Sequence, residues 1–271
     1  MKFLLLGDVV GKPGYTAVLQ NAKRLKKELS LDALIVNAEN AADGSGLSPR
    51  QFQRLRDAGV DGVTMGDHLL KDKTLRTILE SSNRIVKPAN YPLATPGLSW
   101  MKLPTAAGPL AVISLVGRVM MKPVDCPFLG VDRILDQIEK EASEGPEIRH
   151  VLVDIHAEAT SEKQAIARYL DGRVTAVLGT HTHVPTADAR ILPHGTAFQC
   201  DVGMTGPYES IIGRSIERIL HTTLTMEPTH FHVATGDVRL CGAIVEANEN
   251  GQATLITRFE DRISERVLLG A

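Results

Sequence analysis

The sequence predicts an α/β protein, and three observations predict it. Short apolar runs of strand length alternate with longer amphipathic stretches. Glycine and proline punctuate the segments, as at Gly59 and Gly145-Pro146. With 271 residues, 43% of them hydrophobic, the chain can bury a sizeable core without disulfide or metal staples. No internal repeat, low-complexity tract or linker divides it, so a single domain over residues 1–271 is expected.

The elements follow in order. Phe3–Leu6 is a strand. Residues from about Thr16 to Leu29 form a helix, because Ala17, Leu19, Ala22, Leu25 and Leu29 recur near helical spacing. Ala33–Val36 is the next strand. Ser48-Pro49 starts a helix, with serine as N-cap and proline in the first turn, and Gly59 ends it. Val60–Met65 is a strand, and Lys73–Leu79 a helix. Pro88 to Pro109 is rich in Pro, Gly and Thr and is expected to be loop. Leu110–Val116 is a strand, Val131–Ala142 a helix, His150–Ile155 a strand, Ser161–Leu170 a helix and Val174–Leu178 a strand. Beyond Pro185 the strands shorten: Ala197–Cys200, Arg239–Glu246 and Ala253–Arg258, with a helix near Ser210–Leu220. Asn248-Glu-Asn-Gly251 is a hairpin turn between the last two strands.

Composition excludes several classes. A formal net charge of -2 gives no global basic field, so stable nucleic-acid binding is not expected. Cys126, Cys200 and Cys241 are far apart and odd in number, which argues against a disulfide framework or a cysteine zinc knuckle and for a reducing cytoplasm. The apolar start Phe3–Leu6 is too short for a signal-peptide core. No run approaches the ~20 apolar residues of a membrane helix.

Sheets of this class carry their sites just beyond the carboxyl ends of the strands. Those positions hold Asp8, then Asn37, Glu39 and Asn40, then Asp67 and His68, then His156, then His181 and His183. Three carboxylates, two carboxamides and four imidazoles exceed what one metal needs. The set is all oxygen and nitrogen, without sulfur, and suits two divalent cations sharing a carboxylate. Two such ions ~3.5–4 Å apart clamp the attacking and leaving oxygens of a phosphoryl transfer. Each residue alone has a structural reading, such as an Asx turn at Asp8 or a core histidine at His156. Together, so many buried polar groups would be costly without a cation.

Gly7-Asp8-Val-Val-Gly11, Asn37-Ala-Glu39-Asn40-Ala-Ala, Gly66-x-His68, His156, Gly179-Thr-His181-Thr-His183-Val and Pro88-Ala-Asn90-Tyr-Pro92 resemble, in order, the YmdB-like branch of the calcineurin-like metallophosphoesterases. The resemblance implies a two-sheet sandwich flanked by helices, in α/β/β/α layers. It implies a pair of divalent or mixed-valence ions, iron or manganese first, with zinc or magnesium as further options. Asp8, Glu39, Asn40 and His183 match the ligands of one ion. Glu39 also matches the bridge to the second, which Asp67, His156 and His181 complete. His68 matches the catalytic histidine.

The implied activity is hydrolysis of phosphodiesters, notably 2′,3′-cyclic nucleotides. A hydroxide shared by the ions would attack phosphorus in line, and His68 would protonate the departing ribose oxygen. A small phosphodiester or nucleotide is the expected partner, and self-association into a homo-oligomer is compatible with the family. One departure stands out: the family usually has Asn in the Gly-Asn-His triplet, where this chain has Asp67. The extra charge leaves the site intact but is expected to alter rate, pH optimum or metal preference. Alternatives are a non-catalytic metal-binding regulator and a phosphomonoesterase.

Other motifs fail on inspection. Gly7-x-x-x-Gly11-Lys12 is one residue short of a phosphate loop, and Pro13 stands where Ser or Thr should be. Gly44-Ser-Gly46 lacks the third glycine of a dinucleotide fingerprint and is expected as a turn near the site, which Asn90 and Tyr91 would also line. No Gly-x-Ser-x-Gly elbow occurs. His230-Phe-His232 is expected to be structural. His150, His194 and His221 are expected on the surface or in loops, and Lys23, Arg24, Lys26 and Lys27 on a solvated helix face.

Overall fold

The structure is a computed structural model that describes residues 1–144 and 147–264. The first half contains β1 (Lys2–Leu6), α1 (Gly11–Glu28), β2 (Ala33–Asn37), α2 (Pro49–Asp57), β3 (Gly62–Thr64), α3 (Arg76–Ser81), β4 (Ile85–Val86), β5 (Trp100–Leu103) and β6 (Leu110–Val116). Next come α4 (Pro127–Glu144), β7 (His150–His156), α5 (Thr160–Tyr169) and β8 (Ala176–Thr180). The remainder is β9 (Arg190–Ile191), β10 (Ala197–Gln199), β11 (Gly206–Pro207), α6 (Ile216–Thr225), β12 (Val238–Ala247) and β13 (Ala253–Arg262).

Two sheets form. One runs β11-β12-β1-β2-β3-β4 with β13 on β12, and the other β5-β6-β7-β8-β10-β9. Strands β1 to β4 are parallel, as are β6 to β8. The period of two along each strand explains the layering. In β1, Leu4 and Leu6 pack with α1 and α2 through Val18, Leu25, Phe52 and Leu55. Phe3 and Leu5 face the other way, onto Val112, Leu152 and Leu178 of the second sheet. The outer face of that sheet, through Ile113, Val153 and Ile155, packs on α4 (Val131, Ile134) and α5 (Ile166). This is the α/β/β/α sandwich that the resemblance implies. Parallel strands buried on both faces put the carboxyl ends of β1, β2, β3, β7 and β8 at one edge.

Several elements differ from the sequence expectation. Helix α1 starts at Gly11 rather than Thr16, because Pro13 falls in the first turn, where no amide hydrogen bond is lost. Helix α2 begins as predicted, with Ser48 and Gln51 exchanging a full capping box. The Pro88–Pro109 loop contains β5, a short edge strand antiparallel to β6. Helix α6 begins at Ile216, since residues 211–214 make a tight turn with positive φ at Ile212 and Gly213. Strand β13 runs on to Arg262 because pairing with β12, not burial, sets its length. The hairpin turn at 248–251 is as expected, with Gly251 at φ 84°. The expected helix stop, Gly145-Pro146, lies outside the described residues. Among the described residues no helix is long and apolar enough to cross a membrane.

Candidate metal centre

Asp8 lies two residues beyond the end of β1 and is fully buried. Its Oδ2 accepts from the His181 amide at 2.9 Å and its Oδ1 from Asn40 Nδ2 at 3.2 Å. This ties the edge of the first sheet to that of the second. Burial opposes its charge, but His183 and then His156 hold the carboxyl well below the usual range. Glu39 is also fully buried. Its Oε2 accepts from the His68 amide at 3.0 Å, and its Oε1 lies 3.2 Å from His156 Nε2 and 3.3 Å from Asn40 Nδ2. Gly66 makes room for this meeting: a Cβ there would sit 2.3 Å from the His156 ring and 2.5 Å from Glu39 Oε2.

Glu39, Asp67, His156 and His181 each offer one ligand atom, all within 4.8 Å of one another. His156 Nε2 is 3.2 Å from Asp67 Oδ1 and 3.0 Å from His181 Nδ1. Asp67 is held low: burial works against its charge, while the hydrogen bond and charge of His156 favour it. Asp8, Asn40 and His183 make an adjoining group, with His183 Nε2 3.7 Å from Asp8 Oδ1. Glu39 lies between the two groups. One detail departs from the expected ligand set. Asn40 turns Nδ2 toward Asp8, Glu39 and His183, and its Oδ1 accepts from His68 Nδ1 at 2.7 Å. An amide nitrogen is no metal ligand, so Asn40 binds a cation only after a half-turn of its amide.

The histidine tautomers follow from the partners of their other nitrogens. His183 Nδ1–H donates to Ile212 O at 2.9 Å, leaving Nε2 for the cluster. His181 places Nε2 3.3 Å from Glu158 Oε2, leaving Nδ1. His156 Nδ1 lies 2.9 Å from Thr180 Oγ1, which donates to Asp154 Oδ1 at 2.7 Å. A hydroxyl has one proton, so Thr180 accepts from His156 Nδ1–H and Nε2 faces the cluster. Asp154 also accepts from Thr64 Oγ1 at 2.6 Å and from Asn37 Nδ2 at 3.1 Å. Burial pushes its carboxyl up. Burial opposes the charge of His156, yet Glu39, Asp67 and Asp8 raise it well above the ordinary imidazole value. His183 is raised by Asp8 against the effect of burial, whereas burial and the neighbouring His156 lower His181.

The loop carrying His181 and His183 is strained, with φ of 95° and 65° at the two histidines. Between them Thr182 donates from both its amide (3.0 Å) and its hydroxyl (2.7 Å) to Asp201 Oδ2. Lys163 pairs with the same oxygen at 2.9 Å, fully buried.

All of the expected ligand positions therefore converge, together with His68. Asn37 serves beneath the site on Asp154. Asn90 does not line the cavity: it is fully buried and splices the backbone of Val116 through bonds of 2.7 and 2.9 Å. Of the Gly44–Gly46 turn, Gly44 lines the cavity. His150 is not a surface residue but a buried strand start, bonded to Asn248 O at 2.9 Å. His230 and His232 meet edge to face with ring centroids 5.0 Å apart. The sequence reading missed Asp154, Thr180, Asp201, Lys163, Glu158 and Arg214. A signal existed for one of them: Asp154 interrupts an apolar run two residues before His156, on the same strand face.

The cavity over the cluster has a volume of about 380 Å³ and is lined by Glu39, Asn40, His68 and His183 on one part and Glu158 and Arg214 on another. An oxygen- and nitrogen-rich set of this kind fits hard or borderline divalent ions, and its buried imidazoles and carboxylates converge without apolar filling.

Known proteins resemble this one over nearly its full length. A 2′,3′-cyclic-nucleotide 2′-phosphodiesterase of Bacillus subtilis is 41% identical over 249 residues, 92% of each chain. A crystal structure of a hypothetical protein from Thermus thermophilus aligns with a TM-score of 0.88 at 43% identity, covering 97% of this chain and 99% of that one. A Mycoplasma pneumoniae structure described as a novel phosphatase aligns with a TM-score of 0.88 at 31% identity, covering 100% of this chain and 97% of that one. A sequence model of the YmdB-like proteins matches residues 4–259, and the chain belongs to that family.

Proposed function

We propose that the protein is a single-domain, dimetal phosphodiesterase acting on 2′,3′-cyclic nucleotides. The observation that carries this reading is the convergence of Asp8, Glu39, Asp67, His156, His181 and His183 from both sheets in one cluster, which opens into the cavity through Glu39, His181 and His183. The identity to the Bacillus subtilis phosphodiesterase supports the substrate class. Asp8, Asn40 and His183 would hold one ion, Asp67, His156 and His181 the other, and Glu39 both. Bound divalent ions supply charge for the phosphoryl oxygens and acidify water. The chain's own residues do the rest. The carboxylates would hold the ions in a buried, polar pit. With the Asn40 amide turned to offer Oδ1 to an ion, its Nδ2 would take the place now held by Oδ1, 2.7 Å from His68 Nδ1, and donate to that nitrogen, so the transferable proton of the ring would sit at Nε2. Iron or manganese is the pair the family resemblance implies, and the donor set accommodates zinc and magnesium as well. The free cysteines favour a reducing cytoplasm.

The similarity to the Mycoplasma pneumoniae phosphatase favours monoester hydrolysis as a second reading. Turnover of bis- and mono-p-nitrophenyl phosphate, with metal analysis of the same sample, separates the readings. Diester cleavage supports the proposal, and monoester cleavage alone replaces it with the second reading. Metal without turnover leaves a binding protein.

A further inference from the structure

Among the described residues, the cavity wall contains one lysine or arginine, Arg214. The tight turn at 211–214 delivers it to the loop that follows the metal-site residues Glu39 and Asn40. Nη1 donates to Asp43 O at 3.0 Å and Phe231 O at 3.3 Å, and Nη2 donates to Gly44 O at 2.6 Å. These bonds use both Nη1 hydrogens and one on Nη2. A guanidinium has five N–H donors. The two that remain, Nε–H and the second Nη2–H, have no acceptor among the described residues. They sit on neighbouring nitrogens, Nε and Nη2, where both can be offered to a phosphate or carboxylate.

The charge is also unmatched. No carboxylate lies within ion-pair distance of Arg214 among the described residues, and burial alone pushes its guanidinium down from the ordinary value. Glu158, in the same wall, is engaged with His181 Nε2 at 3.3 Å. Gly44 keeps the place open for the guanidinium: with φ 82°, a Cβ there would lie 2.5 Å from Nη1. A clamp between two loops needs only neutral donors. A half-buried cation facing no acid favours the arrival of an anion. The diester phosphate belongs with the metal ligands, and the base and ribose of a nucleotide are neutral.

We propose that Arg214 binds a second anionic group of the substrate, making the preferred substrate a 2′,3′-cyclic nucleotide that carries a further phosphate. This rests on the phosphodiesterase reading above. A cavity of about 380 Å³ has the size of a single-nucleotide site.

The test uses the metal-loaded protein with adenosine 2′,3′-cyclic phosphate, with and without a 5′-phosphate. The wild type is expected to prefer the 5′-phosphorylated compound by about tenfold to a hundredfold in kcat/KM, the range of a charge-assisted pair. Arg214→Gln should abolish the preference, losing more on the 5′-phosphorylated compound than on the unphosphorylated one by that same factor, and Arg214→Lys should keep part of it. Equal losses on both substrates would make Arg214 a loop clamp and overturn the proposal, as would a wild type without preference. Equilibrium binding of both compounds to metal-loaded His68→Ala and to His68→Ala/Arg214→Gln decides the same question without turnover. Should the wild type cleave no diester, the activity reading fails, while the binding ratio still supports or overturns the role of Arg214.

Discussion

Thr180→Val removes one oxygen from beneath the metal centre and leaves the side-chain shape almost unchanged. Thr180 Oγ1 accepts from His156 Nδ1 at 2.9 Å and donates to Asp154 Oδ1 at 2.7 Å. All three side chains are fully buried, so water cannot replace the hydroxyl without a rearrangement. Two groups lose a partner. Each orphaned buried group costs roughly 1–3 kcal/mol. Asn37 Nδ2 already reaches Asp154 Oδ2 at 3.1 Å, and Thr64 donates there too, so the carboxylate keeps two partners. The expected loss is therefore at the lower end, about 2–3 kcal/mol of folding stability. The larger effect falls on His156, whose Nδ1–H no longer fixes the ring with Nε2 toward Asp67 and Glu39. Loss of such a supporting bond typically weakens metal binding about 10–100-fold. Chelator competition with manganese or zinc measures the affinity, and urea unfolding the stability. Thr180→Ser should restore both. A Thr180→Val protein that binds metal within about twofold of wild type would refute the role assigned to this hydroxyl.

Three further outcomes are expected. His68→Ala should keep its metal content and lose about 10²–10⁴-fold in kcat on diesters, and equal activity would remove His68 from the proton-donor role. Asp67→Asn should keep the metal pair but change rate, pH profile or metal preference, because Asp67 Oδ1 lies 3.2 Å from His156 Nε2 and Oδ2 3.8 Å from His68 Nε2; an unchanged enzyme in all three respects contradicts this. Metal uptake at neutral pH should release protons, since Glu39, Asp67 and Asp8 raise His156 well above the ordinary imidazole value in the metal-free protein. Affinity then weakens as pH falls, because protons compete for the same nitrogens. By the same shifts, the stability contributed by His156 in the metal-free protein is full below the unfolded imidazole value and is lost as pH rises through its raised folded value. That of Asp8 is present above the unfolded carboxylate value and is lost only as acid reaches its depressed one. Calorimetry in two buffers of different ionisation enthalpy counts the protons, and a count of zero at neutral pH would sink this account.

The sequence by itself determined the strands that carry the site and the residues at their ends. Apolar runs such as Phe3–Leu6 and His150–Ile155 are legible because burial on both faces demands near-continuous hydrophobicity, and a polar residue just beyond such a run stands out. Asp8, Glu39, Asp67, His156 and His181 were visible for that reason. Elements fixed by pairing or by backbone turns were not. Strand β5 and the far end of β13 exist because a neighbour offers hydrogen bonds, and α6 starts late because Ile212 and Gly213 take left-handed conformations. Only the tertiary structure decided how the ligands are oriented. The Thr180–Asp154 relay, the Lys163–Asp201 pair under Thr182 and the reach of Arg214 over Gly44 join residues between 19 and 170 positions apart in the chain. Such partners leave no local pattern, because a hydrogen bond across a fold depends on where two strand ends meet and not on spacing along either one.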